Sequence, residues 1–319
     1  MHKRLLTAFG TAAIAVSLVG CSGGSAPEED GAGTSAPAAN SCADTGIETA
    51  VLENRDELLP AGVKEAGALR IATDPTLPPY EFTDEDGELV GLDIELGKLI
   101  GCVLDLEVSY DKIDFGGLLT AVQAGRYDLA IAGISDTAER AEVMDMVDYQ
   151  TEGTAIIVPE GNPAGIETID DLCGMTVAAV QGSVPLELLN RKSESCAEPI
   201  EALALPSSND GFLAVRSGRA EAVMETLGTA IWFHESEAEG SGLEALTTEL
   251  YAQGYQAIAF PKGGESEQLR DAVQAALTSM IEHGSYGALY EKWGLEANML
   301  DEITINDSQR FADKYYNVG

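Results

Sequence analysis

The stretch AVQAGRYDLAIAG at 121–133 returns as AVRSGRAEAVMET at 214–226. Ala, Val, Gly and Arg coincide in the two copies, and an acid stands at the same place in each, Asp128 and Glu221. Both copies read as the end of a helix, a glycine and then a strand. Glycine suits that junction because it accepts the left-handed backbone that closes a helix. Upstream of each copy lies a strand that runs into a loop: LRIATD at 69–74 and MTVAAVQGS at 175–183. A repeated strand–helix–strand unit constrains the chain to α/β architecture with two similar lobes.

The rest of the chain agrees with that class. The strand from Leu69 to Thr73 is stopped by Asp74-Pro75 and Pro78-Pro79. Leu92, Leu96, Leu99, Ile100 and Val103 recur at helical spacing, and Phe115, Leu118, Leu119 and Val122 mark the next helix face. Tyr127 to Ala132, Thr154 to Val158 and Met175 to Val180 read as buried strands. A helix is predicted from about Pro185. Leu269, Val273, Leu277, Met280 and Ile281 form a stripe stopped at Gly284, and Tyr286 to Trp293 a short last helix.

In open α/β sheets, ligands bind beyond the carboxyl ends of the strands. That rule selects Asp74, the turn from Gly133 to Ser135, Gly182 with Ser183, and Glu225 with Thr226. If the lobes face each other, these loops line one cleft. Arg140 stands beside it. Ser135, Asp136 and Thr137 are helix-capping residue types and AERAEVM follows. With Thr137 as cap, Arg140 is the third helical residue, a poor place for a cation unless an anion binds there too. The plainer alternative is an exposed Arg140 paired with Glu139 or Glu142. The spacing predicts a small anionic ligand held between two lobes.

The N-terminus reads as an export signal over residues 1–20. His2, Lys3 and Arg4 precede an uncharged apolar run from Leu5 to Val19, which is short for a spanning helix. Leu18-Val19-Gly20-Cys21 resembles the lipobox of bacterial lipoproteins, which implies a diacylglycerol on Cys21 and membrane attachment through it. Residues 21–45, rich in Ser, Gly, Ala, Pro and acids, read as a disordered tether. The net charge of −36 argues against nucleic acid or an anionic membrane surface as partner. Five Cys leave four once Cys21 is set aside. Cys173 and Cys196 flank one strand–helix unit and are the favoured disulfide, with Cys42 and Cys102 the weaker pair. Three scattered His and no Cys-x-x-Cys pair argue against a metal site.

TDPTLPPYEF (73–82), DGELVGLDIEL (86–96), DFGGLLTAVQAGRYDLAIAGISDTAER (114–140), DLCGMTVAAVQGS (171–183) and ALYEKWG (288–294) occur in order. Together they resemble the extracellular solute-binding proteins of amino-acid ABC transporters, family 3, over about residues 63–298. The resemblance implies a type II periplasmic-binding-protein-like fold: two α/β lobes joined by a two-strand hinge. Lobe 1 would comprise 46–152 plus 255–300, lobe 2 153–254, and 301–319 a C-terminal tail. By the same resemblance Arg140 holds a ligand α-carboxylate with Ser135 and Ser183, beside Gly182. Gly133 offers its carbonyl to the ammonium, Asp74 touches a polar or cationic ligand side chain, and Phe115 forms an apolar wall. Two positions depart from the family pattern. Leu77 stands where an aromatic clamp is usual, with Tyr80 as its substitute. Thr226 stands where an acid usually meets the ammonium, with Glu225 adjacent. That departure predicts a ligand lacking a plain α-ammonium, or one whose ammonium meets another acid such as Asp74.

The implied function is that of a lipid-anchored, extracytoplasmic, monomeric binding protein. It would hand an amino acid or derived carboxylate to an ABC permease, with no cofactor, no metal and no chemistry. A cyclohexadienyl dehydratase-like enzyme on the same fold is the alternative, and it needs a carboxyl of raised pKa in a dry cleft. A ligand sensor acting with a membrane receptor is the third reading. A sensor ectodomain continues into a membrane helix and a signalling module, and the sequence to Gly319 carries neither.

Overall fold

The architecture follows from two long strands that most of the chain is arranged around. The computed structural model describes residues 42–236 and 242–311. The expected export signal, Cys21 and most of the tether lie outside these residues.

Two short helices, α1 (Arg55–Leu58) and α2 (Ala61–Ala66), lead into β1 (Ala68–Thr73). A small antiparallel sheet follows from β2 (Thr76–Leu77), β3 (Glu81–Thr83) and β4 (Leu89–Val90). Next come α3 (Leu92–Leu104), β5 (Glu107–Lys112), α4 (Phe115–Gln123), β6 (Leu129–Ala130) and α5 (Ala138–Val143). The first long strand, β7 (Met144–Pro159), leads to β8 (Thr176–Val180), α6 (Val184–Ser195), β9 (Glu201–Leu205), α7 (Ser208–Arg216), β10 (Ala222–Thr226) and α8 (Leu227–Ser236). The second, β11 (Leu243–Pro261), is followed by α9 (Glu265–His283) and α10 (Ser285–Trp293).

The main sheet has the order β5-β1-β6-β11-β7-β10-β8-β9. Strands β5, β1 and β6 are parallel, as are β10, β8 and β9; β7 and β11 pair antiparallel between the two trios. The internal sequence echo has a physical meaning in this order. One copy is α4 with β6, the other α7 with β10, and each ends on a strand that flanks the central pair. The glycines between helix and strand, Gly125 and Gly218, both take a φ of 70°. The fold is α/β, two lobes joined by two strands.

Each lobe has its own apolar interior. Leu69, Ile71, Leu96, Leu99, Val147, Ile258 and Leu277 pack into one core. Ile156, Val158, Val177, Leu188, Met224 and Tyr251 pack into another. Strands β7 and β11 thus give side chains to both cores. Their mutual register shifts between Leu246 and Tyr251, Tyr251 and Gly254, and Gln256 and Ala257. There the buried amide of Gln150 donates to that of Gln256. The helical stripes fall where spacing placed them: Leu269, Val273, Leu277 and Met280 are buried in α9, which closes at Gly284 with φ 84°.

Two features differ from the sequence expectation. The strand expected over Tyr127–Ala132 pairs only at Leu129–Ala130, because the chain leaves the ladder for the turn at Gly133. Residues 298–311 form a strap along β7 and β11. Asn298 Nδ2 donates to the Thr151 carbonyl (2.6 Å), Thr304 Oγ1 to Asp148 (2.7 Å) and Arg310 to the Tyr255 hydroxyl (3.0 Å). The Phe311 ring packs edge-on against Tyr255 at 4.8 Å and sits against the second core. Cys173 and Cys196 form the favoured disulfide, Cα atoms 5.5 Å apart, tying the start of β8 to the end of α6. Cys102 is disulfide-bonded; the side chain of Cys42, its expected partner, lies outside the described residues.

Candidate functional site

The carboxyl ends of β1, β6, β8 and β10 converge on a cleft of about 630 Å³ of open space, solvent at its mouth included. Of the residues the sequence singled out, Asp74, Leu77, Phe115, Gly133, Ser135, Ser183, Glu225 and Thr226 line it. Tyr80, Arg140 and Gly182 do not.

Asp74 ends β1. Its carboxylate accepts from the backbone N–H of Phe115 (2.8 Å), the first residue of α4, while burial raises its pKa. Gly133 sits in left-handed backbone, φ 55°, and donates its N–H to Asp93 (3.0 Å). A Cβ there would lie 2.5 Å from the end of the Leu77 side chain, so any other residue would strain the backbone and push that side chain aside. Ser183 caps α6, its oxygen accepting from the Leu186 N–H (3.3 Å); its hydroxyl hydrogen remains free to donate.

Thr137 does cap α5, accepting from the Arg140 N–H (3.1 Å), and Arg140 is the third helical residue. That helix has only six residues, so its dipole is weak and the guanidinium is the stronger anion-binding element. The guanidinium donates to the carbonyls of Ser135 (2.8 Å) and Gly182 (3.2 Å) and lies over the Phe115 ring at 5.8 Å. It therefore stands at the rim, joining a loop of the first lobe to a loop of the second. Gly182 serves as its acceptor rather than as cavity wall. Tyr80 is fully buried behind the cleft and its hydroxyl donates to Glu152. It supports an acid and forms no aromatic clamp. Thr226 Oγ1 donates to Thr229 Oγ1 (2.9 Å) and its N–H to Glu225 (2.8 Å), so position 226 supplies no charge.

The sequence missed Glu81 and Glu152. Both line the cleft, as do Asp74 and Glu225, and no Lys, Arg or His does among the described residues. Glu152, on β7 where it crosses between lobes, is pushed up to about 7 by burial, with the Tyr80, Gly153 and Gly228 donors partly offsetting this. Glu225 is raised by burial and accepts from the Ser208 hydroxyl (2.6 Å). Glu81 is 1 % exposed, and its carboxyl group hydrogen-bonds with the carboxyl of Asp93. Burial first, then the neighbouring Asp93, hold its pKa well above the usual carboxylate range. The signal available in sequence was an acid inside an apolar strand, Tyr80-Glu81-Phe82, and Glu152 before Gly153 in the run from Met144. Such acids are rarely buried without purpose or partner.

The family model for bacterial extracellular solute-binding proteins, family 3, matches residues 69–296, well over half of the chain. The chain is 29 % identical over 255 residues to the arginine-binding protein ArgT of Corynebacterium glutamicum, covering 78 % of this chain and 82 % of that one. It is 28 % identical to the L-cystine-binding protein TcyJ of Escherichia coli strain K12, covering 75 % and 86 %. Among solved structures it superposes on an ancestral arginine-binding protein bound to arginine with a TM-score of 0.66 and 32 % identity, covering 71 % and 98 %. It likewise superposes on an ancestral amino-acid-binding protein described as a precursor of cyclohexadienyl dehydratase, with a TM-score of 0.64 and 26 % identity, covering 76 % and 99 %. With its two lobes, two connecting strands and cleft at the strand ends, this chain belongs to the bacterial extracellular solute-binding proteins of family 3.

Proposed function

We propose that the chain is the substrate-binding component of an ABC importer for a cationic amino acid, arginine or a close relative. The observation that carries this reading is the cleft wall: Asp74, Glu81 and Glu225 are buried, Glu152 is half-buried, and no basic side chain lines the cavity among the described residues. Uncompensated buried carboxylates are costly, and a ligand with cationic groups relieves that cost. The likeness to named arginine-binding proteins supports it.

In this reading the ligand carboxylate sits at the rim against Arg140, with the Ser135 and Ser183 side chains beside it. The cationic groups point inward, and Phe115 and Leu77 flank the ligand's apolar stem. Residues 46–152 with 255–300 and 153–254 act as the two lobes, turning about the register shifts of β7 and β11. Lipid on Cys21 tethers the chain at the membrane face, and the acidic tether of residues 21–45 gives reach to a permease. Isothermal titration of L-arginine, L-lysine, L-glutamine and L-glutamate tests the reading. Binding is expected for the two basic amino acids, weaker for glutamine and absent for glutamate. Tightest binding of glutamate contradicts it.

One observation favours a second reading, an enzyme of the dehydratase kind: Glu152, near 7 in a buried cleft, has the profile of a general acid. Turnover of prephenate or arogenate tests it. The four wall carboxylates argue against it, since both substrates carry carboxylates that they would repel.

A further inference from the structure

We propose that the strap of residues 298–311 is a hinge brace: Arg310 and Phe311 fix Tyr255 where β11 crosses between the lobes, and so hold the lobes in their closed arrangement. The inference rests on the hinge part of the functional reading. It goes beyond it by naming the element that sets how readily the lobes part.

The strap is anchored at its start on the first lobe. The Leu300 N–H donates to the Tyr286 hydroxyl of α10 (3.0 Å), and the Gln274 amide of α9 donates to the Ile303 carbonyl (2.9 Å). Ile303 is buried in the first core. The strap then runs antiparallel to the first half of β7, with Ile305 opposite Val147. The Asp148 N–H donates to the Thr304 carbonyl (3.0 Å) and the Asn306 N–H to the Met146 carbonyl (2.9 Å), while the Met146 N–H donates to Asn306 Oδ1 (2.8 Å). These bonds tie residues 300–306 to the first lobe.

The far end of the strap reaches the other lobe. Arg310 donates to the Tyr255 hydroxyl (3.0 Å), and the Phe311 ring stands edge-on to the Tyr255 ring at 4.8 Å, a favoured geometry for an aromatic pair. Phe311 also packs against the second core, which includes Tyr251 and Ala252. Tyr255 itself lines the ligand cleft. Its carbonyl accepts from the Asp136 N–H (2.9 Å), next to the Ser135 carbonyl that holds Arg140. Strap, cleft wall and the loop bearing Arg140 therefore meet at one residue.

The register of β11 against β7 shifts between Tyr251 and Gly254 and again between Gln256 and Ala257, so the bend between the lobes falls on either side of Tyr255. Rotation there moves the second core relative to the anchored start of the strap. Phe311 then loses either its place on the second core or its contact with Tyr255. The contacts of Arg310 and Phe311 thus belong to the arrangement in which Arg140 reaches the Gly182 carbonyl across the rim. A contact made in only one of two arrangements shifts the equilibrium toward it. A ligand held between closed lobes binds more tightly as the closed fraction grows.

The test is small-angle X-ray scattering of the ligand-free protein for the parent, Phe311→Ala, Phe311→Tyr and Arg310→Ala, with melting curves to show that each is folded. The brace predicts a larger radius of gyration in Phe311→Ala and Arg310→Ala, and the parental value in Phe311→Tyr, which keeps the ring. Calorimetric titration of Phe311→Ala with L-arginine is expected to show binding weakened about three- to tenfold. A purely structural role would lower the melting temperature and leave the radius alone, so an unchanged radius in folded Phe311→Ala overturns the brace. Where Phe311→Ala does not fold, Arg310→Ala, at an exposed position, is read in its place by the same criterion. A larger radius together with no L-arginine binding by the parent supports the brace and overturns the amino-acid reading. An unchanged radius beside L-arginine binding by the parent overturns the brace alone.

Discussion

At the scale of single residues, the guanidinium of Arg140 and the acids of the cleft stand apart. Arg140 holds two loop carbonyls at the rim, while the acids lie inside. Arg140→Ala is therefore expected to weaken L-arginine by about tenfold to several hundredfold, the range for a lost charge-assisted pair. Agmatine, lacking the carboxylate, is expected to bind that variant as it binds the parent, and equilibrium titration of both ligands checks the contrast. Equal losses for the two ligands contradict the rim assignment. Gly133 gives a second prediction. Its φ of 55° strains any residue with a Cβ, and that Cβ would have to displace the end of the Leu77 side chain. Gly133→Ala is expected to lower stability by about 1–2 kcal/mol, read as a shifted urea midpoint at constant slope. The residues that sequence identified here were those in loops after strands. Glu81 and Glu152 escaped because a strand residue declares its burial only through its neighbours, and a mixed run such as DYQTEG shows no clean alternation.

At the scale of elements, helices were legible and the long strands were not. α3 and α9 carry clean apolar stripes, and both fold as their spacing demands. β11 contains Thr247-Thr248-Glu249 and two register shifts near Gly254, which hide a single 19-residue strand behind a broken pattern. The strap over residues 298–311 gave no sequence signal at all, since its apolar residues are few and its bonds are made by Asn, Thr and Arg side chains. It packs over a pair of fully buried acids, Asp136 and Asp148. Burial raises both, Asp136 pushes Asp148 up further while the hydrogen bond with Asp148 partly offsets the rise at Asp136, and they are best described as sharing a proton. The sign follows from linkage: the folded state keeps a proton that the unfolded chain releases near pH 4. The stability tied to that proton is present below the unfolded pKa and is lost as pH rises through the raised folded values, about 6 and about 8. Melting of the ligand-free protein is expected to fall between about pH 4 and 8, the span from the unfolded to the folded values, and to level off above it. Asp148→Asn is expected to flatten that fall by removing on the order of a few kcal/mol of pH-dependent stability. An unchanged slope in the variant contradicts the shared proton.

At the scale of the whole molecule, the two lobes touch on both sides of the cleft. Arg140 reaches the Gly182 carbonyl on one side. On the other, Phe82 and Trp293 of the first lobe meet Trp232 of α8, with ring centroids 5.5 to 6.2 Å apart. The chain has two Trp, and both are in this contact. Lobe opening separates them, so tryptophan emission is expected to change on addition of ligand and to lose that change in Trp232→Phe. The repeat in sequence foretold two lobes; it could not foretell which side chains meet across them, because those contacts join residues with no sequence neighbourhood in common.

The central claim is that buried carboxylates make this cleft a site for cations. Isothermal titration of one protein preparation with L-arginine and with L-citrulline, which matches arginine in shape but has an uncharged side chain, tests it most directly. The account predicts that arginine binds at least about thirtyfold more tightly. Equal affinity for the two would contradict it.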